Sequence, residues 1–269
     1  MTYCVGIWTR HGLVMASDSR TNAGHDQVNV ARKMHLFEQP GERVFVLLSS
    51  GSLSCTQSII TQLRRDFDQG KGLAQAPSLY DAARIIGEEI RRVSDLDRAA
   101  LERDEFKFNV NLILGGQIKG EAMRMFLVYS AGNFIEATRE TCYFQLGESK
   151  YGKPVLDRLI VPTTPLDTAA KCALVSMDST LKSNLSVGLP LDLLVYHEGA
   201  LHSDQVVCID DGNPYFQMIR NTWGQRLREV FDSLEDPYWD GGETRNPLRV
   251  PSARYEPMRK ITTPSEKIV

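Results

Sequence analysis

Thr2 is the first residue in the chain able to do chemistry. A small residue in second place permits removal of Met1, and the chain would then start with a hydroxyl and a free amine on one residue. That pair is a nucleophile carrying its own base. Asp18 lies in Ala16-Ser17-Asp18-Ser19-Arg20, just after a second apolar run, so a hairpin would return it beside Thr2. Lys33 follows in Arg32-Lys33-Met34-His35-Leu36; buried near a nucleophile it would hold positive charge or a lowered pKa, and an aspartate partner would fix it in place. Ser50-Gly51-Ser52 stands between a buried strand and a helix, where a glycine lets the backbone turn an N–H toward a developing oxyanion. Each residue taken singly also has an ordinary reading. Thr2 is a common start-site residue, Asp18 a loop cap, Arg20 a solvated charge, Lys33 a strand-edge cation and Gly51 simple punctuation.

Stepping out from these positions, Tyr3–Thr9 is β-branched and aromatic, Arg10-His11-Gly12 is a turn, and Leu13–Ala16 is a second strand. Ser17–Asn29 is polar with a break at Gly24 and reads as a loop. Strands are expected at Lys33–Phe37 and Arg43–Leu48, and a helix from Ser54 to about Gly70 on the spacing of Ile59, Ile60, Leu63 and Phe67. A second helix starts at Ser78, with Asp81 as a capping-box partner, and is expected to run to about Arg103, broken or bent near Ser94-Asp95. Strands follow at Asn109–Gly115, Met123–Ser130 and Cys142–Leu146. Thr164 as N-cap and Pro165 at the first turn open a helix that runs to about Lys182, and Leu191–Tyr196 and Gln205–Ile209 close the order. Blocks of hairpin-joined strands alternating with helix pairs predict antiparallel sheets covered by helices, an α+β arrangement of two sheets with helices on their outer faces. After residue 212 the texture changes: Asn213-Pro214 caps one more helix, and beyond Glu235 the chain is rich in proline and glycine. The expected organisation is therefore a domain over 1–212 and an extension over 213–269.

Composition excludes several classes. The chain has 269 residues, 31 Lys and Arg against 34 Asp and Glu, and a net charge of −3, so it has no basic excess to hold nucleic acid. It contains no apolar stretch of membrane-spanning length. The first residues are too short and mixed for a secretory signal, and five scattered cysteines without a CxxC suit reduced thiols in a cytoplasmic protein. The histidines show no metal spacing, so neither a metal nor a cofactor is expected. Gly147-Glu148-Ser149-Lys150-Tyr151-Gly152-Lys153 has the spacing of a phosphate-binding loop, but Pro154 next in line offers neither a hydroxyl for Mg²⁺ nor an N–H. Asn184-Leu185-Ser186 matches a glycosylation triplet that a chain without a signal would not present to that machinery.

Thr2, the stretch Ala16-Ser17-Asp18-Ser19-Arg20-Thr21-Asn22-Ala23-Gly24, the Arg32-Lys33 pair and the Ser50-Gly51 turn occur in the order found in proteasome β-type subunits. The sequence resembles that family over about residues 2–210, and within it most resembles Anbu, the bacterial ancestral-β-subunit group. The resemblance implies the N-terminal-nucleophile hydrolase fold, a four-layer αββα sandwich, and a threonine-type peptidase. It implies Thr2 as nucleophile, Asp18 and Lys33 as its charge partners, Arg20 as support and the Gly51 N–H as oxyanion donor. It also marks two departures. Where relatives carry a Gly-Ser-Gly-Ser-like turn, this chain has Gly147-Glu148-Ser149-Lys150, so the helping serine is replaced by Glu148 or shifted to Ser149. Where they carry an aspartate three residues before a serine, Ser183 stands in its place while Ser186 matches. A homo-oligomer, as ring or open spiral, and a peptide or amide substrate are the implied partners; nothing in the residues specifies an ATPase. The rival readings are a non-catalytic assembly subunit, which in the α-type carries an N-terminal extension, and another N-terminal-nucleophile activity such as acyl transfer or small-amide hydrolysis.

Overall fold

The computed structural model describes residues 2–22, 28–203 and 205–236. The expected trimming site at Met1, the break at Gly24 and the proline-rich tail beyond residue 236 lie outside the described residues. By internal contacts the chain forms two compact units, Met1–Trp223 and Gly224–Val269.

The strands of the first unit are β1 Tyr3–Thr9, β2 Gly12–Asp18, β3 Arg20–Asn22, β4 Val28–Val30, β5 Met34–Gln39, β6 Arg43–Gly51, β7 Val110–Ile118, β8 Arg124–Val128, β9 Phe134–Glu136, β10 Tyr143–Gly147, β11 Leu191–His197 and β12 Gln205–Ile209. The helices are α1 Leu53–Asp68, α2 Leu79–Arg103, α3 Lys153–Leu159, α4 Leu166–Ser183 and the start of α5, Pro214–Asp232. One five-stranded sheet has the order β10-β1-β2-β11-β12, a second β5-β6-β7-β8-β9, and every pairing is antiparallel. The first sheet lays Tyr3, Val5, Ile7, Val14 and Ala16 against Leu156 of α3 and Cys172, Ala173 and Met177 of α4. The second lays Phe45, Leu47, Leu112 and Leu114 against Ile59 and Leu63 of α1 and Ile86 and Ile90 of α2. Between the sheets a third apolar layer joins Cys4, Leu13 and Met15 to Val44, Val46, Leu48, Ile113 and Met125. Strand residues alternate faces, and both faces are covered, which is why these strands read as nearly continuous apolar runs. This is the four-layer αββα sandwich.

Gly6 has a packing reason. A Cβ there would stand 2.9 Å from Met125 Sδ and 3.0 Å from Ile113 Cγ2, so a hydrogen lets the two sheets approach. Helix α2 starts as expected: the Ser78 hydroxyl accepts the Asp81 N–H at 3.1 Å and donates to its carboxylate at 2.5 Å. The expected interruption near Ser94 is not a break: α2 runs unbroken from Leu79 to Arg103, and Leu101 beyond Ser94 still packs on the same core as Ile90 and Val93. The Ser17–Asn29 segment is not all loop: β2 continues to Asp18, and β3 and β4 form a short ribbon. Thr164 does not cap α4. Pro165 is its N-cap, and Thr164 Oγ1 instead accepts the Val161 N–H at 3.0 Å, closing the preceding turn. The short elements β9 and α3 carry too few residues to show a period, and α3 begins inside the segment with phosphate-loop spacing. Four of the five expected core thiols are buried, whereas Cys208 is exposed.

The fully buried Phe45 joins β6 to the α1–α2 layer. Phe45→Ala is expected to destabilise the domain by about 3–5 kcal/mol through the cavity it leaves, read as a lowered urea midpoint at unchanged slope.

Candidate active site

Asp18 ends β2 fully buried, and its carboxylate collects three donors. Lys33 Nζ lies 2.6 Å from Oδ1, the Tyr3 N–H donates to the same oxygen at 2.9 Å, and the Gly188 N–H approaches Oδ2 at 3.4 Å. Lys33, itself buried just before β5, also donates to the Arg20 carbonyl at 2.7 Å. Burial pushes the Asp18 carboxyl above its ordinary range, and the Lys33 charge, the Lys33 hydrogen bond and the two backbone N–H groups pull against that shift. The β1–β2 hairpin thus brings Asp18 to the residue following Thr2, and the ion pair ties that hairpin to the second sheet.

Arg20 works on the neighbouring loop. Its guanidinium donates to the Leu185 carbonyl at 2.8 Å and lies over Gly188, where a Cβ would meet Arg20 Nε at 2.1 Å. A glycine at 188 is what allows this contact. The same loop carries Asn184, whose Nδ2 donates to Glu148 Oε2 at 2.9 Å while its Oδ1 accepts the Ser186 N–H at 2.9 Å. Glu148 is buried, has Lys150 Nζ at 3.4 Å, and donates its own N–H to the Thr2 carbonyl at 2.8 Å. Ser149 takes part through its carbonyl, which accepts from Lys153 N–H and Gln145 Nε2. Ser183 is exposed at the last residue of α4. The backbone turns extended at Asn184, so Asn184 rather than Ser183 reaches toward Glu148.

Thr2 and Gly51 share the wall of an open cavity of about 410 Å³, with Thr21, Ser50, Leu53, Asn109 and Asn111 also on its surface. Gly51 has φ +113°, and a Cβ there would stand 2.0 Å from the Asn109 carbonyl oxygen, so no other residue fits this turn. The Ser49 N–H donates to the Lys33 carbonyl at 2.9 Å, and strand alternation aims the Gly51 N–H toward that same side. Thr2 is half-buried and its hydroxyl has no hydrogen-bond partner among the described residues. Cys4 does not compete with it: burial, reinforced by the Asp18 charge, pushes its thiol far up, and its Sγ faces the Ser49 carbonyl at 3.7 Å. Among the described residues no three His, Cys, Asp or Glu side chains converge to hold a metal ion.

Thr2, Asp18, Lys33 and Gly51 therefore meet at one end of the sandwich, with Arg20, Glu148, Asn184 and Ser186 in the layer behind. Gly188 and Asn184 were missed in the sequence because they act 170 and 36 positions from their partners. Asn111 left a signal, a polar residue in an otherwise apolar strand. Lys33→Met would leave Asp18 buried without its cation, and the expected loss is about 3–5 kcal/mol by urea unfolding. Lys153→Met, which breaks the exposed Lys153–Asp157 pair, is expected to cost about 1 kcal/mol or less in the same assay.

No protein-family model and no curated protein matches the chain. Solved structures do. Anbu (ancestral beta-subunit) from Yersinia bercovieri is 49% identical with a TM-score of 0.84, covering 89% of this chain and 100% of that one. Anbu from Hyphomicrobium sp. strain MC1 is 44% identical with a TM-score of 0.81, covering 87% and 98%. The helical assembly of the Anbu complex from Pseudomonas aeruginosa is 43% identical with a TM-score of 0.84, covering 88% and 98%. At this identity over nearly the whole of each relative, the αββα sandwich is the Anbu one, and the chain belongs to the Anbu family of proteasome-like ancestral β-subunits.

Proposed function

We propose that the chain is a threonine-type amide hydrolase that acts through Thr2 after loss of Met1. The observation that carries this reading is the shared cavity wall of Thr2 and Gly51, backed by the buried Lys33–Asp18 pair. The Thr2 amine, with an ordinary pKa near ~7.7, accepts the hydroxyl proton directly or through water. Oγ1 attacks the amide carbonyl carbon, and the Gly51 N–H stabilises the oxyanion. The C–N bond then breaks, the proton held on the amine passes to the leaving nitrogen, and water releases the acyl group from Oγ1. Lys33 supplies fixed positive charge behind the nucleophile. Asp18 holds both Lys33 and the backbone of Tyr3, so the residue after the nucleophile cannot drift. Typical contributions are about 10²–10⁴-fold for the base and about 10²–10³-fold for one oxyanion donor.

We further propose that copies of the chain self-associate. The Pseudomonas aeruginosa relative is described as a helical assembly, which favours an open spiral over a closed ring here. The absence among the described residues of any helix long and apolar enough to cross a membrane fits such a particle.

Thr2→Ala is expected to remove turnover of fluorogenic peptides and labelling by a β-lactone probe, while leaving the urea midpoint within about 0.5 kcal/mol of wild type. Intact mass of the labelled wild type should show Met1 gone and one adduct per chain. Undiminished labelling of Thr2→Ala would overturn the reading. The rate of labelling should rise with pH through about 7–8 as the Thr2 amine loses its proton.

A further inference from the structure

The cavity beside Thr2 is polar in an unusual way. Among the described residues its lining of Thr2, Thr21, Ser50, Leu53, Asn109 and Asn111 contains no charged side chain, and Leu53 is the one large apolar member. Ser50 is 8% exposed and lines the cavity, and its hydroxyl is not among the buried side-chain oxygens that lack a partner, so it is open to the cavity. A hydroxyl open to a cavity bonds water when the cavity is empty and can bond a polar group of a ligand that displaces it. Directly across the β6–β7 ladder from Ser50 stands Asn111, whose Nδ2 donates to Asn109 Oδ1 at 3.0 Å. That single bond uses one N–H and one oxygen of the asparagine pair. The pair, which is open to solvent, is left with one free amide oxygen, one whole N–H₂ and the second N–H of the donating amide, and exchanging O and N in both side chains leaves the same complement.

A primary carboxamide is the side-chain group that answers one acceptor and one donor at once, and it needs no countercharge. We propose that this cavity selects peptides bearing glutamine or asparagine next to the scissile bond, with Asn111 and Asn109 pairing with the substrate carboxamide and Ser50 offering the third contact. The inference rests on the hydrolase reading for its biological meaning, but the pocket's preference is measurable without chemistry. The wall rejects apolar side chains because Ser50 and the asparagines would be left unpaired beneath them. It disfavours charged ones because no described side chain on its wall carries the opposite charge.

The test uses the full-length, Met1-free protein and a panel of short aminocoumarin peptides differing only at the residue before the reporter: Gln, Asn, Leu, Phe, Arg and Glu. The expected kcat/KM for Gln or Asn exceeds that for Leu by about tenfold or more. Asn111→Leu should reverse the order of Gln and Leu, and the milder Ser50→Ala should lower the Gln value while sparing Leu. In parallel, binding of the uncleaved Gln and Leu peptides to Thr2→Ala, followed by fluorescence anisotropy, reads the pocket alone. Preference for Leu or Phe in both assays overturns the inference and leaves the hydrolase reading intact. Preference for Gln in binding, with no Thr2-dependent turnover of any peptide, upholds the pocket and overturns the hydrolase. Equal binding of Gln and Leu peptides overturns the inference whatever the turnover.

Discussion

One carboxylate holds the site together. Asp18 is fully buried, and in the interior an ionised oxygen is stable only if donors replace the water it has lost. Its three donors come from β1, from the segment entering β5 and from the loop before β11. The requirement of one buried group thus fixes three pieces of chain far apart in sequence. Asp18 and Tyr3 belong to one sheet, and Lys33 leads into the other. Arg20 then fastens the third piece from outside by lying over Gly188, and through Asn184 that loop reaches Glu148 and the carbonyl of Thr2.

Much of the fold was readable because its signals are local. α1 and α2 announce themselves by period, β1 and β6 by apolar, β-branched or aromatic runs, and the Ser78–Asp81 cap by residue type. The Asp18–Lys33 contact was readable in a different way, since a tight hairpin leaves few places for the end of β2 to go. What stayed hidden depends on distant partners or on short elements. The Ser17–Asn29 stretch is polar on both sides, so nothing in its pattern separated the β3–β4 ribbon from loop. Thr164 followed by Pro165 has the composition of a helix start, but the hydroxyl is taken by the turn before it. Ser183 and Asn184 differ by one position at the end of α4, and one residue of backbone direction decides which of them faces Glu148. Sequence spacing has no access to that choice.

The buried glutamate at 148 has its charge met within the structure. A carboxylate in a buried position is a burden unless it is paired. Asn184 and Lys150 pair it, and its backbone keeps hold of Thr2 regardless of the side chain. The glutamate at 148 is thus tolerated in the company of the amide at 184.

The inner apolar layer sets a distance as well as a fold. Thr2 leads into one sheet, and Ser50, Gly51 and Asn111 belong to the other, so the gap between nucleophile and opposing backbone is the gap between sheets. That gap is set where Gly6 faces Met15, Ile113 and Met125. Thioethers are adaptable fillers, but converting one to its sulfoxide makes it larger and polar. A misplacement of about 1 Å between reacting groups costs on the order of 10²-fold in rate. The two methionines act as a spacer at a remote point of the sandwich, and oxidative damage there would detune the cavity without touching any residue that lines it.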